Sequence, residues 1–264
     1  MEKNKIITIG NNKGGVGKST LSLLFSYLLQ KDNKVLCIDM DQQSNLSSSL
    51  ELTFKVNLDK DKNVYNALIN NESDNVEKYI QSINDNLDIL CGSSDMSHFA
   101  FDMQKKYKSD SMMYLLRYLL KDVKNYYDYI IIDTAPSTDI ATQNAIVASD
   151  YVVIATQTVP LAYNSTYAYF KFLLDINSRY NENFELLGVV MYLVGTSKTD
   201  KIFLEKYNEE FEDDCYTNSI KASDRVKSWS VEGITENKAY DKQTLNMYKK
   251  VLDETLERIE KYSK

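Results

Sequence analysis

Asn11-Asn12-Lys13-Gly14-Gly15-Val16-Gly17-Lys18-Ser19-Thr20-Leu21 follows the short apolar run Ile6-Ile7-Thr8-Ile9. A helix-like spacing of Leu21, Leu24, Phe25, Leu28 and Leu29 comes directly after it. Strand, glycine-rich loop and helix in that order is the setting of a phosphate-binding loop. The chain has 8 glycines, and Gly14, Gly15 and Gly17 are three of them. Glycine lets the backbone turn tightly enough to bring several N–H groups onto one anion. Lys18 adds a charge for the β- and γ-phosphates, Ser19 a hydroxyl for Mg²⁺, and the new helix presents its positive end.

Further apolar runs recur along the chain beyond this loop. Candidate strands lie at residues 5–10, 35–39, 87–91, 129–133, 151–156 and 186–194. Most are continuously apolar rather than alternating, as strands covered on both faces are. Helical patterns separate them at 19–31, 63–70, 112–124, 138–148 and 162–179. Strand–helix alternation with right-handed crossovers predicts an α/β fold, a doubly wound, mostly parallel sheet flanked by helices. Ligands of such sheets bind at the strands' carboxyl ends, where the motifs of this chain fall. Two further helices are expected, at 198–212 and from about 242 to 262. In the last one Leu245, Tyr248, Leu252, Leu256 and Ile259 form an apolar stripe opposite Asp253, Glu254, Glu257 and Glu260.

Length and composition narrow the function classes. At 264 residues with no Pro/Gly/Ser-rich linker, the chain reads as one domain over 1–264. No apolar run approaches the length of a membrane span. Met1-Glu2-Lys3-Asn4-Lys5 leads straight into the first strand, so a cytoplasmic protein without a signal peptide is expected. Cys37, Cys91 and Cys215 are too widely spaced for a disulfide framework or a zinc site. The one histidine, His98, has no His or Cys nearby and reads as a surface or capping residue. A net charge of −7 excludes a protein coated in positive charge; any nucleic-acid contact has to come from a local patch.

Two more strands end in acids. Val35-Leu36-Cys37-Ile38-Asp39-Met40-Asp41 would bring both carboxylates beside the loop, where they can hold Mg²⁺ through water or orient an attacking water. Asp128-Tyr129-Ile130-Ile131-Ile132-Asp133-Thr134-Ala135-Pro136 is a Walker B pattern, an apolar strand whose terminal acid serves Mg²⁺. Pro136 stiffens the turn that follows, as suits a γ-phosphate sensor.

Together these stretches carry a family resemblance. Lys13-Gly14-Gly15-Val16-Gly17-Lys18-Ser19-Thr20, with Asn12 where the general P-loop has glycine, resembles the deviant Walker A box of the ParA/MinD ATPases, the ParA branch in particular. Asp39-Met40-Asp41-Gln42-Gln43-Ser44-Asn45 is similar to the family's D-x-D-P-Q-G-N, with Gln42 replacing Pro and Ser44 replacing Gly. Asp133-Thr134-Ala135-Pro136 is similar to its D-x-P-P, with Ala135 in place of the first Pro. Thr158-Val159-Pro160 resembles a segment where dimer contacts often lie, and residues 220–236 resemble the loop and helix before the C-terminal helix.

The resemblance implies ATP and Mg²⁺ as cofactors. It implies a nucleotide site of Lys13, Gly14, Gly15, Val16, Gly17, Lys18, Ser19 and Thr20, with adenine contacts near 191–194 and 217–222, Met191 among them. Ser19, Asp39 and Asp133 would serve the metal. Lys13, Lys18 and Asp41 would serve catalysis, Asp41 by positioning water and Lys13 by reaching the partner's ATP in an ATP-bound homodimer. Partners would be nonspecific DNA and a ParB-type centromere-binding protein, with no membrane, at the nucleoid in the cytoplasm. The expected DNA contacts are Lys198, Lys221, Arg225 and Lys227, around Trp229. A MinD-like or protein-cargo positioning ATPase is the alternative. The acidic polar face of the last helix speaks against anionic lipid.

Overall fold

A computed structural model describes residues 4–70, 73–107, 110–180 and 184–262. Residues 1–3, on which the N-terminal expectation partly rests, lie outside them. In chain order the elements are β1 (Lys5–Gly10), α1 (Lys18–Leu29), β2 (Val35–Asp39), α2 (Asn45–Phe54), α3 (Val64–Ile69), β3 (Gln81–Asn84), β4 (Leu87–Leu90), α4 (Phe99–Lys106) and α5 (Leu115–Leu120). They continue with β5 (Tyr129–Asp133), α6 (Ile140–Ala148), β6 (Tyr151–Thr156), α7 (Pro160–Tyr180), β7 (Glu185–Val194), α8 (Lys198–Phe211), β8 (Ile220–Lys221), α9 (Asp224–Glu232) and α10 (Ala239–Tyr262).

The strands form one sheet in the order β3-β4-β2-β5-β1-β6-β7-β8. Every pairing is parallel except β3 with β4, which is antiparallel at the edge. The continuous apolar runs are explained by the two cores. Ile6, Ile130, Ile132 and Ile154 face a layer with Phe99, Leu116, Ile146, Tyr169 and Tyr207. Ile7, Ile9, Ile131 and Val153 face the opposite layer with Leu21, Leu24, Phe25, Tyr248 and Leu252. Successive side chains of a strand point to opposite faces, so a strand buried on both sides has no polar position left. The stripe on α10 is used here, packing against α1 and β7.

Three differences from the sequence reading have local causes. β3 escapes notice because Gln81-Ser82-Ile83-Asn84 has one buried apolar residue, Ile83. The helix expected over 112–124 is a 3₁₀ turn at Asp110–Tyr114 followed by the short α5. Helix α2 is serine-rich, with only Leu46, Ser47 and Leu50 buried, so its apolar period is weak. All three cysteines are free, Cys37 and Cys91 in the core. Among the described residues no helix is long and apolar enough to cross a membrane.

Candidate nucleotide site

The P-loop leaves the end of β1 between its sheet neighbours β5 and β6. Gly17 precedes α1 with φ 95°, a left-handed conformation that favours glycine. A Cβ there would also lie 2.5 Å from the Tyr192 ring, so only glycine permits the close approach. Sheet register assembles the acids. Asp39 of β2 pairs with Asp133 of β5, and Asp133 in turn pairs with Ile9 of β1. The two terminal acids thus sit at one level beneath the loop, although 94 residues of sequence separate them.

A cavity of about 520 Å³ opens over this cluster. Its phosphate-loop side is Gly14, Gly15, Gly17, Lys18, Ser19 and Thr20. Asp41, Gln43 and Pro136 close another side, and Tyr192, Leu193, Val226, Trp229 and Ser230 a third. Lys18 is 6% exposed, and its Nζ lies 3.3 Å from the Lys13 carbonyl. Lys13 is half-buried, with its Nζ 3.5 Å from the Gly14 carbonyl. Both ammonium groups therefore rest on carbonyls of the loop itself, weak contacts that phosphate oxygens can replace with charge-assisted ones.

The electrostatics of the cluster favour a cation. Burial pushes the Asp133 carboxyl up, and the neighbouring Asp39 charge adds to it, against the pull of Ser19, Lys18 and Ser22. Burial likewise raises Asp39, against the N–H and hydroxyl of Ser47 and the N–H of Asp41. Burial lowers Lys18, with Asp133 and Asp41 opposing. Asp133 accepts from the Ser22 hydroxyl at 3.0 Å through Oδ1, while its Oδ2 is buried without a hydrogen-bond partner. A buried carboxylate oxygen left unpaired beside a phosphate loop fits a divalent cation. Among the described residues no three His, Cys, Asp or Glu side chains group as a metal cage. A cation held here would take its remaining ligands from a hydroxyl such as Ser19, from phosphate and from water, as Mg²⁺ at nucleotides does.

Several expected residues take other positions. Asp39 has both oxygens engaged: Oδ2 accepts from the Ser47 N–H at 2.9 Å and hydroxyl at 2.8 Å, and Oδ1 from the Asp41 N–H at 3.2 Å. It braces the turn into α2, and Asp133 is the acid of the pair that keeps an oxygen without a hydrogen-bond partner. Met191 does not line the cavity. Its side chain belongs to the core on the far face of β7, and Tyr192 and Leu193 reach the P-loop side instead. Among the expected DNA contacts, Arg225 is not a free cation. Its Nε lies 2.6 Å from Asp241 Oδ1 and its Nη2 2.9 Å from Glu232 Oε1. Lys198, Lys221 and Lys227 are exposed, Lys227 lying 3.4 Å from Asp224. They occupy three elements, α8, β8 and α9.

Sequence reasoning missed Ser22, Ser47, Gly92, Tyr192 and the cavity-lining role of α9. Ser47 relays the brace, since its hydroxyl also accepts from the Gly92 N–H at 2.9 Å. A rare glycine two residues beyond β4 was the available signal for that contact. Nothing in sequence spacing marks the others.

The comparisons with known proteins agree with this geometry. A sequence profile described as an AAA domain, AAA_31, matches residues 4–186. The sporulation initiation inhibitor protein Soj of Bacillus subtilis is 30% identical over 224 residues, 84% of this chain and 86% of Soj. The chain belongs to the ParA/MinD family of P-loop ATPases. An uncharacterized protein, MJECL24, of Methanocaldococcus jannaschii is 38% identical over 152 residues, a match spanning 56% of this chain and 57% of that relative. The crystal structure of a putative plasmid partition protein from Borrelia burgdorferi B31 bound to AMPPNP superposes with a TM-score of 0.80. It is 28% identical, covering 97% of this chain and 100% of that one.

Proposed function

We propose that this chain, acting as one domain over 1–264, is a Mg²⁺-dependent ATPase that partitions DNA as an ATP-bound homodimer. The observation that carries the reading is the convergence of buried Lys18, Asp41 and Asp133 under the glycine loop, with the second lysine, Lys13, half-exposed at its rim. Lys18, Ser19, Thr20 and the backbone N–H groups of Gly14, Gly15, Val16 and Gly17 would hold the phosphates. Asp133 and Ser19 would hold Mg²⁺, with Asp39 beside them serving it through water, and the ion would neutralise charge building on the phosphates. Asp41, 5% exposed with its Oδ1 accepting from the Gln43 N–H, would orient the attacking water. Lys13 would cross to the nucleotide of a second copy. Val159 and Leu161, 39% and 69% exposed beside the loop that follows β6, give that copy an apolar footing.

Exposed Lys198, Lys221 and Lys227 support nonspecific DNA as what the dimer holds, and a ParB-type partner would trigger hydrolysis and release at the nucleoid. A plasmid cargo is supported by the similarity to the Borrelia partition protein. Binding to random-sequence duplex DNA with ATP, ADP or no nucleotide, across a salt series, tests the reading. ATP-dependent binding that weakens steeply with salt is the expected result, through counterion release at phosphate contacts. Absence of binding in every nucleotide state would overturn the DNA part and leave a protein-cargo ATPase.

A further inference from the structure

Gln157 stands one residue beyond β6, 142 residues from the P-loop, and its Nε2 donates to the Gly15 carbonyl at 3.0 Å. Gly15 has φ 78°, and a Cβ built on it would meet nothing within 4 Å. Other side chains and backbone thus leave the Gly15 α-carbon uncovered, and the Gln157 amide is what engages its carbonyl. In a trans peptide the C=O and the following N–H point in opposite directions. A Gly15 carbonyl held on the Gln157 amide thus fixes the Val16 N–H on the opposite side of the same peptide. The opposite setting would present a carbonyl oxygen to phosphate and remove one donor from the cradle.

The other end of the same stretch is held from outside too. Asn11 is fully buried and its Oδ1 accepts from the Lys13 N–H at 3.0 Å. Its Nδ2 donates to the Ala155 carbonyl at 2.8 Å and to Thr166 Oγ1 at 3.2 Å. Thr166 passes the chain to Thr156 at 2.7 Å. Asn11 clamps the entry of the loop against the core, whereas Gln157 clamps its apex from the surface.

We infer that Gln157 is a positioning residue for nucleotide binding: its side-chain amide locks the Gly15–Val16 peptide with the N–H facing the phosphates. The inference rests on the nucleotide reading of the P-loop given above. Its test compares wild type, Gln157→Met (similar length, no donor) and Lys18→Ala by calorimetric titration with ATP and with ADP, each with magnesium. The Val16 amide resonance is followed in ¹⁵N-edited NMR spectra. Gln157→Met is expected to bind both nucleotides about tenfold more weakly, the scale of one lost hydrogen bond. Its thermal unfolding midpoint should stay at the wild-type value, and the nucleotide-induced shift of the Val16 amide should be lost. Wild-type affinity in Gln157→Met, or weaker binding with the Val16 shift intact, would overturn the inference. Failure of wild type itself to bind ATP or ADP would overturn the nucleotide reading as well, and Lys18→Ala sets the level that absence of binding gives.

Discussion

The first 160 residues and the segment from α8 to α10 use charged side chains in opposite ways. In the first region a lysine and acids are buried around an opening: Lys18 and Asp41 line one cavity, and Asp133, fully buried beside Lys18, keeps an oxygen without a partner. In the second region the buried charge is spent internally. Asp241 is fully buried and accepts from Arg225, from the Thr235 hydroxyl at 2.8 Å and from the Lys238 N–H at 3.1 Å. Glu236 ties the same segment to Tyr27 of α1 and to Lys31 just beyond its end. An unsatisfied buried group marks a place for a ligand, whereas a satisfied one marks a joint. By that criterion α9 is a wall of the nucleotide cavity, pinned at its start to α10 and just past its end to α1.

Substitutions in the two regions should act differently. Lys18→Ala should have the largest effect, removing the phosphate cation and leaving ATP binding undetectable by calorimetry. Retained ATP binding would place the site elsewhere. Asp41→Ala should bind ATP yet slow phosphate release by about a hundredfold or more, the scale of losing a group that acts in the transition state. Its ATP-bound dimer should persist in light scattering, and rapid turnover would remove the water-orienting role. Lys13→Ala should weaken ATP-dependent dimerisation. Each lost charge-assisted contact is worth about 1.5–3 kcal/mol, roughly ten- to hundredfold in affinity. Sedimentation with ATP reads that change, and an unaltered dimer would rule out the crossing lysine.

The second region should answer in stability. Arg225→Ala leaves Asp241 buried and unpaired, at a cost of about 3 kcal/mol read by denaturant unfolding. A variant that kept full stability but lost DNA binding would restore Arg225 as a direct contact. Lys198→Ala and Lys227→Ala should leave stability unchanged and each lower the salt dependence of DNA binding by about one unit of slope. The smallest effect concerns acid. Burial pushes the Asp241 carboxyl up, but Thr235, the Lys238 N–H and Arg225 outweigh it and hold it below the usual carboxylate range. A depressed folded-state pKa gives stability that is present above the unfolded value, about 3.9, and is lost as pH falls through the folded value. Acid unfolding of wild type should therefore steepen below about pH 4, and Asp241→Asn should flatten that part of the curve.

Much of the first region was legible in sequence, since its information is local. Strand β1, the glycine loop and the start of α1 are contiguous, and each acid motif is a strand with its terminal residue. The alternation of strands and helices then implied the parallel sheet. The edge strand β3 and helix α2 were not legible, because few of their residues face a core.

By itself the sequence determined that a phosphate loop, two acid-ended strands and a second lysine exist, and that they belong at the carboxyl edge of one sheet. Local backbone geometry and the period of apolar residues suffice for that. Tertiary structure alone decided that Asp39 braces α2 while Asp133 keeps a free oxygen, and that Tyr192 rather than Met191 reaches the loop. It also decided that Arg225 closes on Asp241 and that Gln157 reaches Gly15. Each of these depends on which strand lies beside which and in what register, and a one-residue change of register turns every side chain of a strand to the other face.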